Sequence, residues 1–336
     1  MVIIKTIDCK VTANASVAVS GMIIDYNPTI SKQYANGKDN YAREDVVLCC
    51  DPIDKVAEYI FSVATTDDFN DEQRHYTCRC DIRLNNLLPN TIYYWKVTAG
   101  DYVSSIQSFC TADTIRTLKI EGVTNTRDIG GYFGLGGKKM KYGKVYRGAR
   151  LENITDLGKE QLLHRLGVQT DLDLRYPGEE GAGVASPLGE GVNYYNYSSP
   201  YYWAPDNGIN DERCQEALVK IIRVFANEAN YPIYVHCSAG RDRTGTICYL
   251  ISALCGVEED DLCLDYELSM LSSVSDAMDI DNFMHNLFYR FIRQDEGYLW
   301  NSYAPNGTLA EAVEAFLISI GVTKGEIDNI KKIMLS

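Results

Sequence analysis

Over the first 113 residues, apolar positions come in short runs that polar clusters interrupt. KVTANASVAVSGMIIDY, DVVLCC, EYIFSVAT, YTCRCDIRL, TIYYWKVTAG and SSIQSFCTA each read as strand, and Gly, Asn and Asp separate them. The charged stretch 30–45 carries a turn pair, Asn36-Gly37. The pattern predicts an all-β domain over residues 1–113. TIRTLKI, at 114–120, reads as a connector. Beyond it the periodicity changes. Thr155 predicts the cap of a helix over TDLGKEQLLHRLG, which Gly167 ends. Val168, Leu172 and Leu174 then alternate as in a strand, with Arg175 at its end, and GVNYYNY gives another. DERCQEALVKIIRVFANEA sets Ala217, Leu218, Ile221, Ile222 and Phe225 at helical spacing. VEEDDLCLDYELSMLS and MDIDNFMHNLFYRFIRQ read as helices. So does the segment that Thr308 caps and Gly321 ends, and a short final helix follows. This alternation predicts an α/β domain over residues 118–336, a central, mostly parallel sheet flanked by helices.

One stretch of that domain carries chemistry. In YPIYVHCSAGRDRTGTICYLISALCG, Tyr231 to Gly256, a β-branched and aromatic strand turns through CSAGRDR into a helix. A bend of that length turns backbone N–H groups inward, and the helix start adds its dipole; together they make an anion cradle. Ser238, Ala239, Gly240, Arg241 and Asp242 supply the backbone, and Gly240 gives the bend its freedom. Arg243 has a planar fork that fits two phosphate oxygens. Cys237 sits in the same positive field, which favours the thiolate. Thr244 is placed to donate its hydroxyl to that sulfur. The same C-x5-R spacing recurs at Cys110 and Arg116, without a glycine or a following helix, and is read as fortuitous.

His236-Cys237-Ser238-Ala239-Gly240-Arg241-Asp242-Arg243-Thr244-Gly245 resembles the signature loop of the cysteine-dependent protein tyrosine phosphatase superfamily. Its Ala-Gly-basic-Asp-Arg-Thr-Gly form is similar to that of bacterial tyrosine/lipid phosphatases, which include a secreted mycobacterial enzyme. Asn125-Thr126-Arg127-Asp128-Ile129-Gly130-Gly131, Val145-Tyr146-Arg147-Gly148, Asp173-Leu174-Arg175 followed by Glu179, and Asp265-Tyr266 match the same family in order. The resemblance implies attack by Cys237 on a phosphomonoester, a phosphocysteine intermediate and its hydrolysis. It also implies substrates that are phosphorylated proteins or small phosphomonoesters, with no cofactor and no metal. His236, Asp128 and Arg175 are expected to support the loop, with an Arg175–Glu179 pair as a buttress. Trp203-Ala204-Pro205-Asp206 looks like the acid-bearing loop of tyrosine phosphatases with one residue inserted. Asp206 is therefore the preferred general acid and Asp242 the alternative. Arg241 replaces the family's usual Lys, which leaves phosphotyrosine, phosphoserine and inositol or lipid phosphates open as substrates. Upstream, Leu87–Ala112 resembles the last two strands of a fibronectin type III-like sandwich, on Leu88, Pro89, Thr91, Tyr93, Trp95, Phe109 and Thr111. Two other readings compete. A silent phosphate-binding module would be expected to have lost Cys237, Arg243 or Thr244. A rhodanese-like sulfurtransferase would not need Thr244.

Composition removes further classes. A net charge of −14 argues against nucleic acid or an anionic membrane as the main partner. No run of eighteen apolar residues suggests a membrane span. Lys5, Asp8 and Lys10 break the apolar start that a signal peptide would need. Eleven cysteines in no disulfide framework favour a reducing, cytoplasmic compartment, with secretion after signal removal as the alternative. Four histidines and the isolated Cys49-Cys50 pair do not make a zinc site. His164 and His285 read as structural. The aromatic run Tyr194, Tyr195, Tyr197, Tyr201, Tyr202 and Trp203 fits either a pocket wall or packing, and GLGGKKMKYGK reads as a hairpin loop.

Overall fold

The computed structural model describes residues 9–14, 37–41, 45–198, 211–274 and 298–335. The chain divides into two compact units, Met1–Ser20 with Ala42–Leu118 and Gly21–Tyr41 with Lys119–Ser336.

The first unit contains strands β1 (Cys9–Asn14), β2 (Asp45–Cys50), β3 (Tyr59–Ala64), β4 (Gln73–Thr77), β5 (Asp81–Leu84), β6 (Ile92–Ala99), β7 (Tyr102–Val103) and β8 (Gln107–Cys110). One sheet has the order β1-β2-β5. The other has the order β4-β3-β6-β7, with β8 also on β6. All these pairs are antiparallel. Alternation along the strands does what period two requires. β2 buries Val46, Leu48 and Cys50, and β6 buries Tyr93, Trp95, Val97 and Ala99. These side chains join Phe61 and Val63 in one apolar cluster fed by both sheets. The Tyr93 hydroxyl accepts from the Leu88 amide at 2.8 Å, which ties the strand to the turn before it. Arg116 is buried and donates to the carbonyls of Asn86 and Leu87, while Cys110 is exposed. The second C-x5-R spacing is thus a turn clamp at one end and a surface thiol at the other.

The second unit is built on a five-stranded sheet. Its strands are β9 (Arg127–Asp128), β10 (Val145–Gly148), β11 (Thr170–Asp173), β12 (Asn193–Asn196) and β13 (Ile233–His236), in the order β12-β11-β13-β10-β9. β10, β11, β12 and β13 run parallel, and β9 is antiparallel on the edge. Every residue of β10, β11 and β13 is buried, as expected for parallel strands covered on both faces. The helices are α1 (Asp156–Glu160, continued by a wider turn over Gln161–Arg165), α2 (Glu212–Ala226), α3 (Asp242–Leu254), α4 (Glu259–Glu267), α5 (Tyr298–Tyr303), α6 (Leu309–Ser319) and α7 (Lys324–Met334). Thr155 accepts from Gly158 at the start of α1, and Asp211 caps α2 through the amides of Arg213 and Cys214. Full capping boxes, Thr308 with Glu311 and Thr323 with Glu326, open α6 and α7. From Arg243 to Leu254 every residue of α3 is buried, so it is the core helix of the unit. Its start lies at the carboxyl end of the central strand β13, where open α/β sheets place their sites. Among the described residues no helix is long and apolar enough to cross a membrane. The helix read over MDIDNFMHNLFYRFIRQ, with His285, lies outside the described residues.

Candidate active site

Cys237–Arg241 link β13 to α3, and their carbonyls can be accounted for one by one. Cys237 O lies 3.2 Å from Nδ1 of His236. Ser238 O accepts from the Arg150 amide at 3.2 Å, and Ala239 O from Asn125 Nδ2 at 2.9 Å. Gly240 O and Arg241 O both accept from Nη2 of Arg147, at 2.8 and 3.2 Å. Five successive carbonyls are therefore held from outside the loop. In a trans peptide the N–H points opposite to the C=O, so the amides of residues 238–242 turn to the other side. Amides turned to one side in this way are what anion nests are built from. Gly240 makes this arrangement possible. Its φ is +68°, and a Cβ there would sit 2.1 Å from the Gly148 carbonyl oxygen. Gly240→Ala is expected to cost about 2 kcal/mol or more and to weaken phosphate binding, read by thermal melting and by inhibition with inorganic phosphate.

A buried charge cluster holds Arg147 in place. Arg147 and Arg127 are both fully buried, and each pairs with one oxygen of Asp265. Burial alone would raise the Asp265 carboxyl. The two guanidiniums outweigh it and hold the group below its usual range. Arg127 also donates to Asn125 Oδ1 at 2.8 Å, and the Tyr41 hydroxyl donates to the same oxygen at 2.5 Å. Asp128 does a different job. Its carboxylate accepts from the amides of Gly130 and Gly143, at 2.8 and 2.7 Å, and so ties two turns together. Of this neighbouring pair, Arg127 is the residue that joins the loop-holding cluster.

Arg243 is 8% exposed, and both of its Nη atoms donate to the Glu179 carboxylate. Ser238 Oγ donates to the same carboxylate at 2.8 Å and accepts from Arg243 Nη2 at 3.1 Å. The Arg243 bonds, opposed by partial burial, pull Glu179 down to about 2. The Tyr176 ring centroid lies 6.0 Å from the Arg243 guanidinium carbon. The expected Arg175–Glu179 pair is not formed. Arg175 instead turns back on Asp173, with two bonds of 2.9 Å, and on Glu152 at 2.7 Å. The physical reason is the turn at Pro177-Gly178, where Gly178 takes φ +104° and the chain carries Glu179 over to the loop.

Cys237 is 3% exposed, and Thr244 is fully buried with no hydrogen-bond partner for its hydroxyl among the described residues. Arg241 lies against Asp242 at 3.2 Å, and the Tyr266 hydroxyl donates to Asp242 at 2.7 Å. Beneath the loop, His236 is fully buried with Nε2 2.9 Å from Asp171 Oδ1. Trp203, Asp206, Tyr201 and Tyr202 lie outside the described residues. Of the other aromatics, Tyr194 donates to Asp173 at 3.0 Å, and Tyr195 and Tyr197 stack with centroids 5.9 Å apart. Tyr197 and Tyr176 line a groove of about 410 Å³ that Pro177, Arg213 and Lys220 also border. Sequence reasoning gave no role to Asp171, Asn125, Arg147 or Asp265. For Arg147 and Asp171 the available signal was charge inside strands buried on both faces; Asn125 and Asp265, in a loop and on α4, carried only their place in the family-like motifs.

Residues 118–336 match the description "Tyrosine phosphatase family". A protein of Cupriavidus necator, named as a candidate tyrosine-protein phosphatase, is 29% identical over 172 residues, 44% of this chain and 61% of that protein. The chain thus spans about three fifths of that curated relative's length. Among solved structures, the core catalytic domain of the PP-IP phosphatase Siw14 from S. cerevisiae is similar at 22% identity. That match covers 41% of this chain and 78% of that one, with a TM-score of 0.28. The fn3 domain of human contactin 1 is similar at 16% identity, over 33% of this chain and 87% of that one, with a TM-score of 0.19.

Proposed function

Since the chain belongs to the tyrosine phosphatase family through residues 118–336, we propose that it hydrolyses phosphomonoesters through a phosphocysteine on Cys237. The observation that carries this reading is the nest itself: five outward-held carbonyls, with Cys237 at its first position and Arg243 at its far end. The amides of residues 238–242 and the Arg243 fork bind the nonbridging oxygens and stabilise the charge that grows in the transition state. The Cys237 thiolate attacks phosphorus in line and the alcohol leaves. Water then hydrolyses the phosphocysteine and returns the thiolate. Thr244, whose buried hydroxyl needs an acceptor, is assigned to the sulfur as the leaving group of that second step.

The leaving-group proton is assigned to Asp206. The support is what Asp242 already does: its carboxylate accepts from Tyr266 and lies against Arg241, the surroundings of an acceptor rather than a donor. Asp206→Asn is expected to lower kcat about a hundredfold on alkyl or unactivated aryl phosphates and to flatten the basic limb of its pH profile. Asp242→Asn should raise KM instead. Steady-state kinetics across pH separates the two.

The substrate class is phosphotyrosine in proteins or a small phosphomonoester. The β-rich segment 1–113 is read as a fibronectin type III-like sandwich that precedes, in sequence, a catalytic domain over 118–336, on the Leu87–Ala112 pattern and the Tyr93–Leu88 tie. The test is phosphate release from p-nitrophenyl phosphate, phosphotyrosyl and phosphoseryl peptides and an inositol polyphosphate, all with a chelator present. Release that survives chelation is expected. No release from any of them by the freshly reduced protein would sink the reading in favour of a silent phosphate-binding module.

A further inference from the structure

We infer that Asp171 is a positioning residue for the nucleophile: through the imidazole of His236 it fixes the Cys237 carbonyl and keeps a cation beneath the sulfur-bearing residue. The role extends the phosphatase reading above, but its evidence is local to β11 and β13. Those strands are parallel and in register, with Asp171 opposite Tyr234 and Asp173 opposite His236. Asp171 and Asp173, two apart on one strand, face the same side, and both are fully buried with His236.

A buried carboxylate must find donors and a compensating charge. Asp173 finds them in the Arg175 fork and the Tyr194 hydroxyl. Asp171 accepts from the Ser186 hydroxyl at 2.6 Å on Oδ2. Its Oδ1 has the ionic contact with Nε2 of His236 at 2.9 Å and no aligned hydrogen bond. The other ring nitrogen, Nδ1, faces the Cys237 carbonyl oxygen at 3.2 Å. The Cys237 carbonyl can only accept. A neutral imidazole carries one N–H and no charge, whereas an imidazolium donates from Nδ1 to the Cys237 carbonyl and meets Asp171 through Nε2 as an ion pair.

The charges around the ring agree. Burial pulls His236 down, but Asp171 first and Asp173 after it push it up, against Arg175, to about 9. Tyr234, on the same strand, has its ring centroid 5.8 Å from the imidazole. The imidazolium thus stands one residue before Cys237 and pins the first peptide of the nest. Without the Asp171 charge, His236 loses the reason for its second proton and Cys237 loses both the cation and the carbonyl anchor.

The test uses the full chain and needs no turnover. Histidine labelled with ¹⁵N reports four rings, and His236→Asn identifies the one of interest. Both ring nitrogens of His236 should show imidazolium shifts at pH 7.5 in the wild type. Alkylation of Cys237 by iodoacetamide, followed peptide by peptide across pH, is then compared in wild type and Asp171→Asn. The midpoint should rise by about one unit in the variant, a roughly tenfold slower reaction at pH 6. A merely structural aspartate would leave that profile in place, and superimposable profiles would overturn the role. If Asp171→Asn does not fold, the wild-type spectrum decides, and a neutral tautomer at pH 7.5 overturns it. Both readouts stand apart from the proposed activity. A protein that passes them yet releases no phosphate would sink the phosphatase reading and leave this role intact.

Discussion

Replacing Cys237 by Ser is expected to reduce phosphate release by about 10,000-fold or more, to the level of the blank. A serine hydroxyl is not ionised at neutral pH, so the attacking oxygen is a far weaker nucleophile than a thiolate. A partial loss would therefore indicate a different nucleophile. The variant should still bind. The carbonyl anchors on Asn125, Arg147 and the Arg150 amide do not involve the Cys237 side chain, so the nest should survive. Inorganic phosphate or vanadate should bind Cys237→Ser within a few-fold of the non-covalent wild-type value. Loss of turnover together with binding would mean that the substitution collapsed the loop, and a milder variant such as Cys237→Ala would then be needed. Turnover above about one part in a hundred would sink the cysteine mechanism.

The loop was legible in the sequence because everything that makes it a loop is local. A β-branched strand, a glycine at the bend and a helix start lie within a dozen residues, and the caps at Thr155 and Thr308 were readable for the same reason. The scaffold behind the loop was not legible, because its contacts span the chain. Arg147 meets the Gly240 carbonyl across 93 positions, Arg127 meets Asp265 across 138, and Glu179 meets Arg243 across 64. At Arg175 the expected partner was Glu179, four residues on, but the side chain is satisfied by Asp173, two residues back, and by the distant Glu152. A physical signal was nonetheless present. Arg147 in VYRG and Asp171 and Asp173 in TDLD are charged residues in strands buried on both faces. Such residues must have partners of opposite charge or backbone acceptors. The sequence cannot say which ones, since that depends on strand order and register.

Arg243→Lys should lower kcat/KM by about 100- to 1,000-fold, with losses in both kcat and KM. Glu179 explains why a conserved charge does not rescue the site. In the structure both Nη atoms of Arg243 meet the two oxygens of one carboxylate, which also accepts from Ser238. That bond fixes the plane of the guanidinium, and the plane sets the angle at which the fork meets a phosphate. A lysine ammonium carries its charge on one atom. It can satisfy Glu179 or reach the phosphate, but it has no plane to transmit from one to the other. Glu179→Gln should cost less, about tenfold and mainly in KM, because the amide oxygen still accepts one of the two bonds. The pH dependence follows from the sign of the shift. Glu179 falls from 4.5 to about 2 on folding, so the stability it contributes is complete above about pH 4.5 and is lost as pH drops toward 2. Across pH 5 to 8 the pair stays charged, and no choice of pH in that range should restore Arg243→Lys. A lysine variant that regained wild-type kcat/KM at either end of the range would show that Arg243 acts by charge alone and that its Glu179-set orientation does not matter.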